Sequence, residues 1–282
     1  MSFRTDIAHE AYLNWKNYSG ADSELDGVRF SSSSFRGLDV SRVEILSNEA
    51  ADILCKPIGQ YFTLELPADF SHHTDVFDNS VHVLRHILNE CFQSPPASVL
   101  VAALGNCDIT PDALGSYSAE SILVTRHLVE RKISGFENFC SVCVSRPGVL
   151  GTSGIESAQQ IKALCDLIKP DYVFVIDAFA CTDQSRLCRT IQISDTGISP
   201  GSGVGNNREE LSSSTLGVNV LSIGMPTVID VRSLGLYSFG DSFVTPRSID
   251  SIVRDAARII AMAVNLSLHS QLSLKDIVSL LN

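Results

Sequence analysis

The run Ser98-Val-Leu-Val-Ala-Ala-Leu104 constrains this chain more than any other segment. A strand that is apolar at every position, with no polar alternation, must be buried on both faces, and such strands belong to parallel sheets covered by helices. Tyr172-Val-Phe-Val-Ile176 and Val218-Asn-Val-Leu-Ser-Ile-Gly224 repeat the pattern. Between and after them, apolar residues recur at helical spacing over 78–91, 119–132, 154–168 and 248–268, with a short helix from 273. Strands alternating with helices predict the α/β class: a mainly parallel sheet with helices on both faces. Weaker alternation over 41–46 and 59–66, separated by Pro57, adds N-terminal strands. Residues 1–35, ending in the serine run Ser31 to Ser34, read as an arm followed by a loop. No internal repeat or long linker divides the chain, so one domain is expected.

Composition excludes several classes of function. The 282 residues carry a formal net charge of −11 and no basic run. Phosphate contacts need clustered Lys and Arg, so no direct nucleic-acid binding is expected. No stretch approaches 18 uninterrupted apolar residues and no apolar leader opens the chain, so neither membrane contact nor secretion is expected. The eight cysteines are scattered, several in apolar runs, and read as reduced thiols of a cytoplasmic protein.

Sites in open parallel sheets gather beyond the carboxyl ends of the strands. Two buried strands run into polar segments bearing an acid: Leu104-Gly-Asn106-Cys-Asp-Ile-Thr-Pro-Asp112-Ala-Leu-Gly115 and Val175-Ile-Asp177-Ala-Phe-Ala180. An aspartate after five apolar residues is costly if buried alone. Two at neighbouring strand ends can share a water, one ionised as base and the other kept protonated as acid. The competing reading is that each carboxylate caps a helix N-terminus, which suits Asp112 after Thr-Pro.

The segment Asp195-Thr-Gly-Ile-Ser-Pro-Gly201-Ser-Gly203-Val-Gly205-Asn206 is rich in glycine but lacks the Gly-Lys-Ser/Thr ending of a phosphate loop and the spacing of a dinucleotide site. It reads as a shaped loop lining a pocket or an interface. His82 and His86 are four apart on a helix, but no glutamate follows His82, no third ligand is well spaced, and His72-His73 looks like a surface doublet, so no metal is expected. Cys140 and Cys143 lack a redox context and read as core or strand positions. Nothing calls for a cofactor.

Three segments together resemble the germination protease family of spore-forming bacteria: Leu104 to Gly115, Asp171 to Ala180, and Thr190 to Asn206, with Gly224-Met-Pro-Thr-Val-Ile-Asp230 and Arg4-Thr-Asp-Ile-Ala8 continuing the likeness in order. The resemblance implies an atypical aspartic endopeptidase with a fold similar to hydrogenase-maturating endopeptidases. It would initiate degradation of small acid-soluble spore proteins at germination, in the spore core. It implies that Asp112 and Asp177 are the essential pair, and that the protein is a homotetramer made as a zymogen. Asn106 would orient a carboxylate or the developing oxyanion, and the loop from Asp195 through Gly201, Gly203 and Gly205 would frame the cleft.

The family cleaves after an acidic residue and before a hydrophobic residue followed by alanine. Asp6-Ile7-Ala8 offers that pattern, which predicts self-processing between Asp6 and Ile7, a short pro-segment 1–6 and a protease domain 7–282. The segment is short for the family, and Phe3 stands where an acid is preferred. The substrate's acid should need a cation, for which Arg208 and Arg189 are the candidates. Two rivals remain: a catalytically silent spore binding protein of the same fold, and a metal-dependent maturation protease.

Overall fold

The computed structural model describes residues 5–20, 24–68, 70, 73–205 and 208–281. Of the residues singled out above, Phe3, Arg4, His72 and Asn206 lie outside the described ones. Among the described residues nine strands form one mixed sheet: β1 (Val28–Phe35), β2 (Leu38–Ile45), β3 (Gly59–Glu65), β4 (Ser98–Ala103), β5 (Ser141–Ser145), β6 (Tyr172–Cys181), β7 (Thr190–Ser194), β8 (Asn219–Asp230) and β9 (Phe243–Val244). Their order is β1-β2-β3-β7-β8-β6-β4-β5, with β9 on β8. The core strands β5, β4, β6 and β8 are parallel, as the apolar runs require, and the remaining pairs are antiparallel.

The helices are α1 (Ala8–Ser19), α2 (Asn48–Leu54), α3 (Thr74–Glu90), α4 (Leu114–Ala119), α5 (Arg126–Glu130), α6 (Leu150–Ser153), α7 (Ser157–Ile168), α8 (Ser213–Leu216), α9 (Ile249–Leu268) and α10 (Leu274–Leu281). One face of the sheet, carrying Val99, Val101, Phe174, Ile176, Leu221, Ile223, Ile193 and Phe62, packs against α3, α4 and α9. On the opposite face α7 and α8 cover Leu100, Ala102, Val173, Val175 and Val220, while α1 and α2 cover Val43, Ile45 and Tyr61 of the antiparallel wing. Each fully buried side chain of this size contributes about 1.5–3 kcal/mol over its exposed state.

Three readings of the sequence need correction. The serine run is a strand, not a loop: β1 pairs along its length with β2, turning through Arg36 and Gly37, both at positive φ, as a two-residue hairpin requires. It is an edge strand with its serines exposed, so the apolar alternation that betrays a half-buried strand never develops. Of the single helix expected over 119–132 only α5, Arg126–Glu130, forms, because α4 has ended at Ala119. Asn265 of α9 accepts from the Leu123 N–H at 2.9 Å and donates to the Ser121 carbonyl at 2.8 Å, which satisfies the main chain without a helix between them. Before α1, Ile7 is extended, and among the described residues of the expected arm Ala8–Ser19 is helix and Val28–Phe35 strand.

Candidate active site

The face that carries α7 and α8 over the parallel core, and α1 and α2 over the wing, is left open between those covers. There the sheet turns polar, as Gln192 and Ser194 on β7, Ser222 on β8 and Asp177 on β6 line a cavity of about 380 Å³. Gln192, Gly224 and Asp177 stand in register across β7, β8 and β6. The Ser194 and Ser222 hydroxyls are bonded to each other at 2.7 Å, so the buried polar floor is internally satisfied, as it must be.

Asp177 is not at the end of its strand as the sequence suggested, because β6 runs on to Cys181. It is β4 that stops, at Ala103 opposite Ile176, so Asp177 is the first residue of β6 to pass beyond its parallel neighbour. The chain leaving β4 folds back at once. Gly105, at φ 93°, lets it do so: a Cβ there would lie 1.9 Å from the Asp112 carbonyl oxygen. The Asn106 N–H then donates to the Asp112 carboxylate at 2.9 Å, and the Thr227 hydroxyl of β8 donates to the Pro111 carbonyl at 2.6 Å. Asp112 ends a turn of 3-10 helix, Thr110–Asp112, and does not cap α4. The capping alternative therefore gives way to a carboxylate held by the Asn106 main chain.

Asp112 and Asp177 line one groove of about 370 Å³, whose other walls include Ile109, Val149, Leu150 and Val204. Burial pushes the Asp112 carboxyl up to about 6, against the lowering effect of the Asn106 N–H. Asp177 is only 5% exposed; burial, then the charges of Asp112 and Asp6, hold it well above the usual carboxylate range. Two neighbouring acids whose affinities for a proton are both raised by burial are an arrangement that acid/base hydrolysis can use.

The other predicted residues separate. Asn106 acts on Asp112 through its main chain, while its side-chain oxygen accepts from the Asp108 N–H at 3.0 Å. Gly201 lines both the cavity and the groove. Gly203 is buried against Asp6, where a Cβ would lie 2.1 Å from a carboxylate oxygen. Gly205 ends the short 3-10 turn Ser202–Val204 and is exposed. Asp195 lies away from the pair: its carboxylate accepts from the Gln60 N–H at 2.8 Å and ties β3 to the loop after β7. Arg208 lines the groove with its guanidinium 3.8 Å from Glu156, while Arg189 is exposed and lines neither space.

Of the expected processing pair, Asp6 reaches the site and Ile7 does not line it. Asp6 lines both spaces, together with Asp177, Ala178, Phe179 and Gly201, and Ile7 and Ala8 are wholly buried. Gln192, Ser202 and Lys56, which the sequence reading missed, hold this segment. The alternation Thr190-Ile-Gln-Ile-Ser194 is the local signal of β7 and its inward polar positions. Among the described residues no group of three or more His, Cys, Asp or Glu side chains could hold a metal ion; His86 pairs with Glu90 at 2.9 Å on α3. Among the same residues no helix is long and apolar enough to cross a membrane.

The family model described as germination protease matches residues 6–239. A germination protease of Clostridium perfringens is 35% identical over 99% of this chain and 99% of its own length. One from Caldanaerobacter subterraneus is 36% identical over 100% and 99%, and one from a Geobacillus species 41% identical over 83% and 65%. Among solved structures, a NiFe hydrogenase maturation protease from Thermococcus kodakarensis superposes with a TM-score of 0.36 at 16% identity, covering 63% of this chain and 98% of that one. A match over this span, at this identity, shows that the chain belongs to the germination protease family.

Proposed function

We propose that the chain is an endopeptidase that opens the degradation of small acid-soluble spore proteins at germination, with Asp112 and Asp177 as its acid/base pair. The observation that carries this reading is the pairing itself. Two carboxylates, one within β6 and one in the turn that follows β4, line one groove, and burial raises the proton affinity of both. Asp112, raised only to about 6, is the ionised base near neutral pH and draws a proton from the attacking water. Asp177, held protonated by burial and by the Asp112 charge, donates to the leaving amide. The apolar groove walls suit the hydrophobic residue after the scissile bond. The chain's own Asp6-Ile7-Ala8, lying against Asp177, supports cleavage after an acid and self-processing at Asp6–Ile7. A tetramer and a zymogen form belong to the same proposal, which sedimentation and the mass of the stored protein would check.

The test is incubation of the purified protein with a small acid-soluble spore protein, beside Asp112→Asn and Asp177→Asn, with chelator throughout. Cleavage between an acid and a hydrophobic-Ala pair, lost by at least about a hundredfold in both variants, is expected. Persistent cleavage in either variant rejects the assigned pair. Absence of cleavage by the wild type, before and after removal of residues 1–6, supports a silent binding protein instead.

A further inference from the structure

The segment Thr5–Ala8 is held in the manner of a bound peptide by residues of β6, β7 and the loops that line the cavity. The Asp6 N–H donates to the Ala180 carbonyl at 3.0 Å. Its carboxylate accepts from the Ala180 N–H at 2.8 Å and from the Ser202 hydroxyl at 2.9 Å. The Gln192 side-chain amide reaches the main chain on either side of Ile7, donating to the Asp6 carbonyl at 3.1 Å and accepting from the Ala8 N–H at 2.7 Å. Lys56 donates to the Thr5 carbonyl at 2.8 Å.

These contacts divide by what they can read. An amide that takes one carbonyl and the N–H two residues on copies half of a parallel strand pairing. It recognises extended main chain whatever the side chains. Because it both donates and accepts, a carboxylate in its place keeps only one of its two bonds. The Ala180 N–H and the Ser202 hydroxyl, by contrast, touch only the side chain of residue 6. Two donors converging on one carboxylate, with Gly203 cleared of a Cβ to admit it, favour an anion over a neutral group of the same shape. β6 offers Ala180 here because β4 has already ended, which leaves the strand beyond Asp177 without a parallel neighbour on that side.

Resting on the protease reading above, we infer that these residues are the substrate subsites: Ser202 and the Ala180 N–H select the acidic side chain before the scissile bond, and Gln192 clamps the main chain across that bond. Asp6 occupies the acid subsite in cis, and an acidic residue of a peptide substrate takes it once residues 1–6 have left. Ser202 is thus a specificity residue, and Gln192 a positioning residue for main chain of any sequence.

The experiment uses the full chain, allowed to process itself and checked by mass, with two peptides: one copying residues 3–10, the other with Asn in place of the Asp. Ser202→Ala should lower the Asp-over-Asn ratio of kcat/KM about tenfold, the loss of one charge-assisted hydrogen bond, and Ser202→Thr should restore most of it. Gln192→Glu should lower kcat/KM for both peptides alike, by about tenfold or more, leaving the ratio as in the wild type. An unaltered ratio in Ser202→Ala overturns the acid subsite. A Gln192→Glu chain that loses thermal stability while its kcat/KM stays within about twofold of wild type reduces Gln192 to a brace for α1. Should wild type cleave neither peptide, nor itself, nor a spore protein, the protease reading itself has failed and the subsites with it. Cleavage with an unmoved ratio fails the subsites alone.

Discussion

The Asp6 carboxylate accepts a hydrogen bond at 2.8 Å from the Ala180 N–H, on the strand that carries Asp177. Its negative charge, added to that of Asp112, helps hold the Asp177 proton in place. The protonation of the acid pair and the seating of the N-terminal segment are therefore linked, and the predictions below follow from that geometry.

Activity should follow a bell-shaped dependence on pH. The lower limb should rise through about pH 6, where Asp112 ionises, and the upper limb should fall where Asp177 loses the proton that burial and the Asp112 charge secure. The two limits belong to the coupled pair. Rates of peptide cleavage between pH 4 and 10 check this, and a rate that peaks below pH 5 would contradict the raised proton affinity of Asp112.

Asp112→Asn should stabilise the fold at neutral pH while it removes activity. A carboxyl raised from 3.8 to about 6 in the fold contributes stability fully below its unfolded value, and loses it as pH rises through its folded value. At pH 7 the ionised carboxylate therefore costs the native state on the order of 1–3 kcal/mol. A neutral amide keeps an acceptor for the Asn106 N–H and avoids that cost. Thermal midpoints should exceed wild type by roughly 2–6 °C at pH 7 and converge with it at pH 4.

Gly203→Ala should dislodge the N-terminal segment. The new Cβ would meet the Asp6 carboxylate at 2.1 Å and the Ala180 Cβ at 2.8 Å. One of them must move, at a cost of about 1–3 kcal/mol. Hydrogen exchange should show the Ala180 and Ala8 amides losing protection while the β4 amides keep theirs. Unchanged protection at Ala180 would contradict the packing described.

Asn265→Ala should lower stability by about 2–4 kcal/mol. It strips the bonds to the Leu123 N–H and the Ser121 carbonyl from a side chain that is 1% exposed, and an unpaired buried main-chain group is expensive. Denaturant melts would report it as a shifted midpoint with an unchanged slope.

What could be read in the sequence was whatever depends on neighbours along the chain. The apolar runs of β4, β6 and β8 announced a parallel core because full burial leaves no room for polar alternation. α3, α7 and α9 announced themselves by helical periodicity. The acids after those runs stood out because a carboxylate beside buried residues needs a reason. β1 escaped because an exposed edge strand carries no apolar pattern, and the break before α5 escaped because its cause, Asn265, lies on another helix.

By itself, then, the sequence determined the parallel core and its helical covers and singled out the two aspartates as candidates, since burial and periodicity are written locally. Only the tertiary structure decided that Asp195 ties β3 to a loop away from the pair, that Asn106 serves Asp112 through its main chain, and that Gln192 and Ser202 meet Asp6. Those last contacts join residues 186 and 196 positions apart. They exist because β7 inserts between β3 and β8 and brings its inward polar residues level with Asp177. Strand order in a sheet is settled by packing among all the strands together, and no pattern along one segment records it.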